Sequence, residues 1–451
     1  MLQHMMAGML SMLLLCSPTV SRAEAEQDER LTEVVEALAD GKDLQGLYAR
    51  FDSQAQAQLS LEALGGLWTQ LTAVSGGFLG YDGETEKGEQ GGYTVLRQRM
   101  DMQAADLICT VTLTEEGRII GLGFAPAPPE EKPLAAEILE EDITIGEAPW
   151  CLPGTLTLPR AQEGPVPAVV LVQGSGPSDR NETLGALTPF RDLAHALASQ
   201  GIAVIRYDKR TFVYSAELSS ASDLSTFTVE EEVIQDAIAA GRLLAQDERI
   251  DPSQIYLLGH SLGAMLAPRI ADESQGLFAG MILACGTDES LLDIMLRQST
   301  DAIAALPAGD VRKAQEQVLE LAQEQANALE NMTAEEAQRA TILGQPAYYF
   351  WEMAQQPTAS DTLKKLALPT LIINGSRDFQ ILPQEGQLAW ETALDMNAPW
   401  LSCLWADVNH LLMQPDAPEG VRGTADEYVI PCTVSPVITE AIGTFVLNEK
   451  E

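Results

Sequence analysis

Positive charge is scarce in this chain. Lysine and arginine together number 27 among 451 residues, against 66 aspartates and glutamates, which leaves a formal net charge of −39. Nucleic acids and anionic membrane surfaces are bound through clusters of basic side chains. The composition therefore argues against both as partners. The acidic surplus itself is typical of a solubilising surface and identifies no substrate.

Apolar runs long enough to span a membrane are missing. Residues 5–16 are apolar but too short to cross a bilayer, and Ala23-Glu24-Ala25 has the small-x-small pattern of a signal-peptide cleavage site. We predict that residues 1–25 are a signal peptide and that the protein is secreted or resides in the cell envelope. No later segment has the length and composition of a membrane span, so none is predicted after the signal is removed.

Cysteine provides no recognisable framework. Removal of the predicted signal leaves five cysteines, an odd number, and their spacings match neither a metal site nor a disulfide pattern. At least one is therefore unpaired, and we interpret them as small buried hydrophobic side chains. They are Cys109, Cys151, Cys285, Cys403 and Cys432.

A proline-rich stretch divides the chain into two parts. Residues 26–125 begin with helical spacing, where Gly41 ends the first helix, and continue with strand-like runs at 92–102, 107–114 and 118–124. This order predicts a small α+β domain of unknown function. Residues 126–139 contain clustered prolines and charges, which indicate an extended linker. A second domain is predicted from 140 to 451.

The second domain alternates strands with helices. Six continuous apolar runs predict strands buried on both faces, at 168–172, 202–207, 255–258, 281–285, 370–374 and 401–405. One intervening helix begins at Thr228, which forms a capping-box pattern with Glu231. The alternation predicts an α/β fold with a doubly wound, mainly parallel sheet. Between about 286 and 366 only helical patterns occur, which predicts a helical cap over the ligand-binding edge.

The most informative motif is Gly259-His260-Ser261-Leu262-Gly263, at the junction between an apolar run and a helical pattern. A Gly-x-Ser-x-Gly sequence in that context predicts a tight strand-to-helix turn with the serine at its tip. The glycines remove the Cβ atoms that would collide in such a turn. A hydroxyl exposed in this way becomes a nucleophile when a base reaches it, so Ser261 is the predicted nucleophile.

The base is found by elimination, because the chain has only four histidines. His4 lies in the predicted signal, and His195 lies within a helical pattern, where a structural role is expected. His260 adjoins Ser261, and adjacent side chains at a sharp turn diverge, so we expect it to pack near the turn. His410 follows the last predicted strand in a polar loop, where a general base must lie.

Asp378 is the predicted orienting acid, because it directly follows the strand at 370–374. A carboxylate there would hold the His410 tautomer and stabilise the imidazolium. The alternative is that Asp378 is a turn residue paired with Arg377. Asp288, after the preceding strand, is the second candidate for the acid. Asp208 precedes the serine in the chain and is interpreted as a structural ion-pair or turn residue.

Two N–H donors must stabilise the oxyanion of a tetrahedral intermediate. The amide of Leu262 follows the nucleophile at the start of a helix, where the helix dipole also favours negative charge. The second donor is expected in the glycine-rich loop after the strand at 168–172. There the Ser175 amide is the first choice and the Gly176 amide the second.

Five motifs in order carry a resemblance to a known family. They are Gly-Ser-Gly-Pro-x-Asp-Arg at 174–180, Arg-Tyr-Asp-Lys-Arg at 206–210, Gly-His-Ser-Leu-Gly at 259–263, Gly-x-x-Asp at 375–378 and Asn-His-Leu at 409–411. Residues from about 140 to 446 resemble the α/β-hydrolase superfamily, in particular its secreted esterase and dienelactone-hydrolase-like members. Two departures are Thr211, where many relatives have glycine, and Pro268, which interrupts the helix after the turn.

The resemblance implies hydrolysis of a small-molecule carboxylic ester by a Ser-Asp-His triad, through an acyl-enzyme and without a metal or organic cofactor. Aromatic residues of the cap either line the acyl pocket or pack within the cap; they are Tyr348, Tyr349, Phe350 and Trp351. Serine peptidase, amidase or thioesterase activity on the same fold is the main alternative. A non-catalytic binding protein, with the front domain recognising a partner, is a third hypothesis.

Overall fold

The computed structural model describes residues 28–448 except 42, 91, 104–105, 128–133, 221–223 and 307. The predicted signal peptide at 1–25 and the centre of the predicted linker therefore lie outside the described residues. Within the described part of the chain, no helix combines the length and apolar composition that crossing a bilayer requires.

The described residues of the N-terminal region form four helices followed by a four-stranded antiparallel sheet, as the α+β prediction requires. The helices are α1 (Glu29–Asp40), α2 (Leu44–Arg50), α3 (Ser53–Gln58) and α4 (Leu61–Ser75). The strands, in sheet order, are β1 (Phe78–Gln90), β2 (Tyr93–Met102), β3 (Leu107–Leu113) and β4 (Ile119–Pro126). Gly41 ends α1 in the left-handed conformation, as predicted.

The second region is built on an eight-stranded sheet, which confirms the predicted α/β fold. Its strands are β5 (Ile138–Ile145), β6 (Leu152–Pro159), β7 (Val166–Val172), β8 (Ala203–Tyr207), β9 (Ile250–His260), β10 (Gly280–Ala284), β13 (Thr370–Gly375) and β14 (Leu401–Ala406). The order is β14-β13-β10-β9-β7-β8-β6-β5. The six strands from β14 to β8 are parallel, and β6 and β5 extend this sheet antiparallel.

Helices cover both faces of this sheet and enclose two apolar cores. They include α5 (Pro189–Ser199), α6 (Arg210–Val213), α7 (Ser215–Ser220), α8 (Gln235–Ala245), α9 (Leu262–Glu273), α15 (Pro383–Ala393) and α16 (Pro436–Asn448). A short 3-10 helix spans Ala425–Val429. The helix α9 continues through Pro268, so the predicted interruption is wrong: packing of its buried face between β9 and β10 outweighs the one lost hydrogen bond.

A helical insertion separates β10 from β13, as the predicted cap requires. It comprises α10 (Leu291–Ala304), α11 (Asp310–Leu329), α12 (Ala334–Arg339), a small hairpin of β11 (Thr341–Ile342) and β12 (Gln345–Pro346), α13 (Ala347–Gln355) and α14 (Ala359–Leu366). The insertion has its own apolar cluster, which includes Leu292, Ile342 and Phe350. The chain leaves the sheet at the carboxyl end of β10, so the insertion starts from the edge where the candidate site lies.

Candidate active site

Ser261 occupies a strained turn between β9 and α9. Its backbone angles are φ 54° and ψ −116°, which side-chain-bearing residues rarely adopt. A Cβ on Gly263 would lie 2.3 Å from the Val172 carbonyl oxygen, and one on Gly259 would lie 2.1 Å from the carbonyl oxygen of Gly263. Only glycine fits either position, so the two motif glycines are required by close backbone packing. The turn presents Ser261 at the carboxyl end of a central strand.

His410 and Asp378 are in direct contact. The His410 Nδ1 lies 2.7 Å from Asp378 Oδ2, and both side chains are buried. The other carboxylate oxygen of Asp378 accepts hydrogen bonds of 2.8 Å from the amides of Gln380 and Ile381. These donors stabilise the carboxylate, which holds the proton of His410 on Nδ1. The Nε2 atom is thereby left as the basic nitrogen.

The alternative pairing of Asp378 with Arg377 is not present. Arg377 instead donates two hydrogen bonds of 2.8 Å to Asp407 and one to the Pro415 carbonyl. The second candidate acid, Asp288, accepts a hydrogen bond of 2.8 Å from the Ser360 amide in the insertion. Asp378 is therefore the acidic side chain that the structure brings to His410.

Asn409, which directly precedes His410, fixes the loop that carries this histidine. Asn409 is fully buried, and its side-chain oxygen accepts hydrogen bonds from the amides of Leu411 and Met413. Its amide nitrogen donates to Glu427 at 3.1 Å. This asparagine holds the turn after β14 in one shape, which sets the position of the imidazole.

His260 joins the loop of His410 to the turn of Ser261. Its Nε2 donates a 2.7 Å hydrogen bond to the His410 carbonyl, and the two rings are 4.8 Å apart. Its Nδ1 lies 2.9 Å from the carboxylate of Glu182. Burial lowers the pKa of His260, but the charge and hydrogen bond of Glu182, the His410 carbonyl and the charge of Asp378 together outweigh burial, so the pKa is raised overall. The predicted packing role is confirmed, with the addition of an ion pair.

The other predicted structural residues also have partners away from Ser261. His195 contacts Glu140 on strand β5, with Nε2 2.9 Å from the carboxylate oxygen. Asp208 accepts two side-chain hydrogen bonds from Arg180, of 2.8 and 3.0 Å. Both interpretations as structural residues are therefore confirmed.

The glycine-rich loop after β7 lies against the serine. A Cβ on Gly174 would lie 3.0 Å from Ser261 Cβ and 3.5 Å from its Oγ. The Gly174 amide already donates a 2.8 Å hydrogen bond to Glu182. Because that N–H is occupied, the Ser175 and Gly176 amides remain the candidate donors of this loop. Leu262 is the first residue of α9, where backbone N–H groups have no partner within the helix.

Three charged residues near this loop were not singled out from the sequence: Glu182, Lys209 and Glu232. Lys209 and Glu232 form a buried ion pair of 2.7 Å. Glu232 lies in a π-helical turn, Glu230–Ile234, that precedes α8. The predicted capping pattern at Thr228 is present in part, because Glu231 accepts from its amide and hydroxyl, whereas the Thr228 hydroxyl accepts from the Glu230 amide. No local sequence pattern marks these three residues, because their contacts join segments that are far apart in the chain.

The cap aromatics have different environments. Phe350 is buried in the apolar cluster of the insertion, and Trp351 donates a hydrogen bond to the Met332 carbonyl and stacks on Tyr348. These contacts favour the packing alternative for the three residues. Tyr349 instead donates a 2.7 Å hydrogen bond to Glu232, outside the insertion.

One group of potential metal ligands comes together among the described residues: His260, Cys285 and His410. Their ligand atoms lie within 4.8 Å of one another and all three are buried. The imidazole nitrogens already face Glu182, a carbonyl and Asp378, and burial together with the charge of Asp378 raises the pKa of the Cys285 thiol well above its usual range. The group is arranged for hydrogen bonding rather than for a cation.

A turn serine at the carboxyl edge of a parallel sheet, with an acid and a histidine in the loops after later strands, is the arrangement of the alpha/beta hydrolases. The chain belongs to the alpha/beta hydrolase family, whose model matches residues 169–424. Esterase EstD of Thermotoga maritima is 34% identical over 383 residues, which are 84% of this chain and 85% of that protein. This match is longer than residues 140–451, so it extends into the N-terminal region.

Two solved structures show more distant similarity. Est1E from Butyrivibrio proteoclasticus is 14% identical with a TM-score of 0.42, and the match covers 68% of this chain and 98% of that chain. An esterase from Pyrococcus furiosus is 15% identical with a TM-score of 0.41, and the match covers 72% of this chain and 95% of that chain.

Proposed function

We propose that the protein hydrolyses carboxylic esters of small molecules through a covalent acyl-enzyme. Ser261 attacks the ester carbonyl while His410 Nε2 takes its proton. His410 then gives this proton to the leaving alcohol, and water hydrolyses the acyl-enzyme by the same route. The observation that carries the proposal is the buried contact of 2.7 Å between His410 and Asp378.

The oxyanion would be held by the Leu262 amide and by an amide of the loop after β7. The contact between Gly174 and Ser261 supports the second donor, because it brings this loop beside the nucleophile. Ser175 is preferred to Gly176, since it directly follows Gly174, where an added Cβ would collide with Ser261. No step of this mechanism needs a metal or an organic cofactor.

The choice of an ester rests on the relative named Esterase EstD. The acyl group would lie between the sheet edge and the helical insertion. Tyr349 is the cap aromatic that we favour near this space, because its hydroxyl is bonded to Glu232 and not to another cap residue.

Replacement of Ser261 by alanine tests the proposal directly. We expect hydrolysis of p-nitrophenyl esters to fall by at least about a thousandfold, because removal of a triad nucleophile has effects of this size. The measurement covers a series of acyl chain lengths, together with thioesters and peptide amides. Faster turnover of amides than of esters would overturn the ester assignment and leave the nucleophile in place.

Ser253→Ala is the matched control, because Ser253 is an exposed residue on the same strand. It should keep wild-type activity and wild-type labelling by a fluorophosphonate probe, whereas Ser261→Ala should not be labelled. If folded Ser261→Ala hydrolysed esters at the wild-type rate, the proposed nucleophile would be wrong.

We also propose that the protein acts outside the cytoplasm. The support is the sequence pattern of residues 1–25, with its short apolar stretch and small-x-small site. Amino-terminal sequencing of the mature protein should find cleavage close to Ala25. Retention of the first 25 residues on a cytoplasmic product would contradict the proposal.

A further inference from the structure

The loop that would supply the oxyanion donor is held by a buried lysine. Lys209 follows β8 and is 2% exposed. Its Nζ donates hydrogen bonds to the carbonyl oxygens of Gly174 at 2.8 Å and Gly176 at 3.2 Å. Burial of an ammonium group is costly, so it persists only where its donors and its charge are matched.

These contacts set the direction of the Ser175 amide. The carbonyl of Gly174 and the N–H of Ser175 belong to one planar trans peptide, in which the two groups point in opposite directions. Lys209 holds the carbonyl end, while Glu182 holds the preceding N–H of Gly174. The Ser175 N–H is therefore directed away from Lys209, and rotation of this peptide would require breaking a charge-assisted hydrogen bond.

A glutamate and a tyrosine extend this network to the insertion. One oxygen of Glu232 lies 2.7 Å from Lys209 Nζ, and the other accepts a 2.7 Å hydrogen bond from the Tyr349 hydroxyl. Burial and the adjacent carboxylate raise the pKa of Tyr349 well above its usual value, so the phenol remains a donor. Tyr349 lies on α13 and is the cap residue at the end of the hydrogen-bonded network Tyr349–Glu232–Lys209.

We infer that Tyr349, Glu232 and Lys209 are positioning residues that couple the seating of the helical insertion to the geometry of the oxyanion hole. The inference rests on the proposed function. When α13 is seated on the π-helical turn, Tyr349 fixes Glu232, Glu232 fixes Lys209, and Lys209 aims the Ser175 amide. The network acts on the transition state, because the oxyanion forms only there.

Two adjacent tyrosines offer a matched test. Tyr349→Phe removes only the hydroxyl that reaches Glu232, whereas Tyr348→Phe removes the hydroxyl of a ring that stacks on Trp351 within the insertion. We expect Tyr349→Phe to lower kcat about fivefold to tenfold with little change in KM, and Tyr348→Phe to leave both unchanged.

An aryl trifluoromethyl ketone distinguishes positioning from a general structural role. Ser261 Oγ adds to its carbonyl carbon, the carbonyl electron pair moves to oxygen, and the serine proton moves to His410, which creates an oxyanion in the hole. Tyr349→Phe should weaken inhibition by the same factor as it lowers kcat, since both depend on the same donor. Thermal unfolding of both variants establishes that the fold is intact.

Lys209→Met tests the centre of the network. Here we expect a loss in kcat of about tenfold to a hundredfold, because the loop loses its anchor. In the Lys209→Met background, Tyr349→Phe should have no further effect on kcat, since the chain of contacts is already broken.

Three results would overturn the inference. They are wild-type kcat in Tyr349→Phe, a kcat loss without the matching loss of inhibitor affinity, and additive effects of the two substitutions. Each leaves the proposed function intact as long as Ser261→Ala is inactive. Should Lys209→Met fail to fold, the comparison of Tyr349→Phe with Tyr348→Phe decides the matter alone.

Discussion

The N-terminal region and the sheet of the second region differ in what they bury. Among the described residues from 28 to 127, the buried polar side chains are Ser75 and Gln98, and neither is charged. The second region buries charged and ionisable side chains throughout, including Arg206, Lys209, Arg210, Glu232, Asp236, His260, Arg377, Asp378, His410 and Glu427.

The difference indicates where the chemistry lies. Removing a charge from water is expensive, so a fold retains buried charges mainly where specific partners and a specific task require them. The N-terminal core is formed by apolar residues on one face of the sheet and on the facing helices. The described N-terminal core is therefore apolar, whereas the buried charges of the second region include the residues of the candidate site.

The largest effect is expected when one acidic residue in each region is replaced by its amide and the kinetics of the two variants are compared. Asp378→Asn places an amide next to His410 Nδ1, where an amide nitrogen would favour the wrong imidazole tautomer. We expect kcat for ester hydrolysis to fall by about a thousandfold or more. Asp106→Asn is the counterpart, because Asp106 bonds Arg99 and the Met102 amide but lies in the N-terminal region.

Asp106→Asn should leave kcat and KM unchanged at a temperature where the variant is folded. Steady-state kinetics on the two variants, with circular dichroism to verify folding, make the comparison. A large fall in kcat in Asp106→Asn would show that the N-terminal region takes part in catalysis, and it would contradict the proposed difference between the two regions.

An intermediate effect is expected from one leucine in each core. Leu96 in β2 and Leu258 in β9 are both fully buried. Replacement of either by alanine should lower the free energy of unfolding by about 2–5 kcal/mol. Leu96→Ala should lower the melting temperature of the N-terminal region, while the esterase activity persists to higher temperature.

Activity and ellipticity measured along the same temperature ramp test this separation. In Leu258→Ala, activity should be lost together with the structure of the second region. Coincident loss of activity and ellipticity in Leu96→Ala would mean that the two regions unfold as one cooperative unit.

The smallest expected effect concerns a charge at the edge of the sheet. Burial alone would raise the pKa of Glu140, but contacts with His195 and Arg206 lower it from 4.5 to about 2. Its carboxylate therefore stabilises the fold above pH 4.5, and this contribution is lost as the pH falls toward 2. Glu140→Gln should be about 1–3 kcal/mol less stable than wild type at pH 7.

The difference between Glu140→Gln and wild type should shrink as the pH falls below 4.5, as measured by urea unfolding. Glu141→Gln is the control on the same strand, because Glu141 is more exposed and pairs with Arg249 at the surface. It should change stability by less than about 1 kcal/mol. A difference for Glu140→Gln that is constant from pH 7 to pH 3 would refute the pKa assignment.

The central strands could be predicted because burial on both faces leaves uninterrupted apolar sequence. All six predicted runs are strands of the sheet. The missed strands of the two large sheets lie at an edge or next to one: β5 is an edge strand that contains Glu140, Glu141 and Asp142, and β1 is an edge strand rich in glycine and acidic residues. Strand β6, between β5 and β8, contains two prolines and a glycine. Their existence depends on pairing with a neighbour, which composition does not record.

The candidate site was predictable where a residue type is rare or a motif is specific. Ser261 follows from its glycines, and His410 from the scarcity of histidine. Lys209, Glu182 and Glu232 were not predicted, because their roles arise from contacts between segments far apart in the chain. The π turn made Glu232 harder to predict, because it shifts the helical register there and the 3.6-residue period of an α-helix no longer applies.

The unusual dihedral angles of Ser261 make thermal stability and catalytic activity competing demands at this position. A glycine at position 261 would adopt φ 54° without the steric cost that a Cβ imposes. Such a protein should withstand heat better than its parent while having no alcohol with which to react. A selection for thermostable variants that did not also test activity would therefore enrich inactive variants with glycine at position 261.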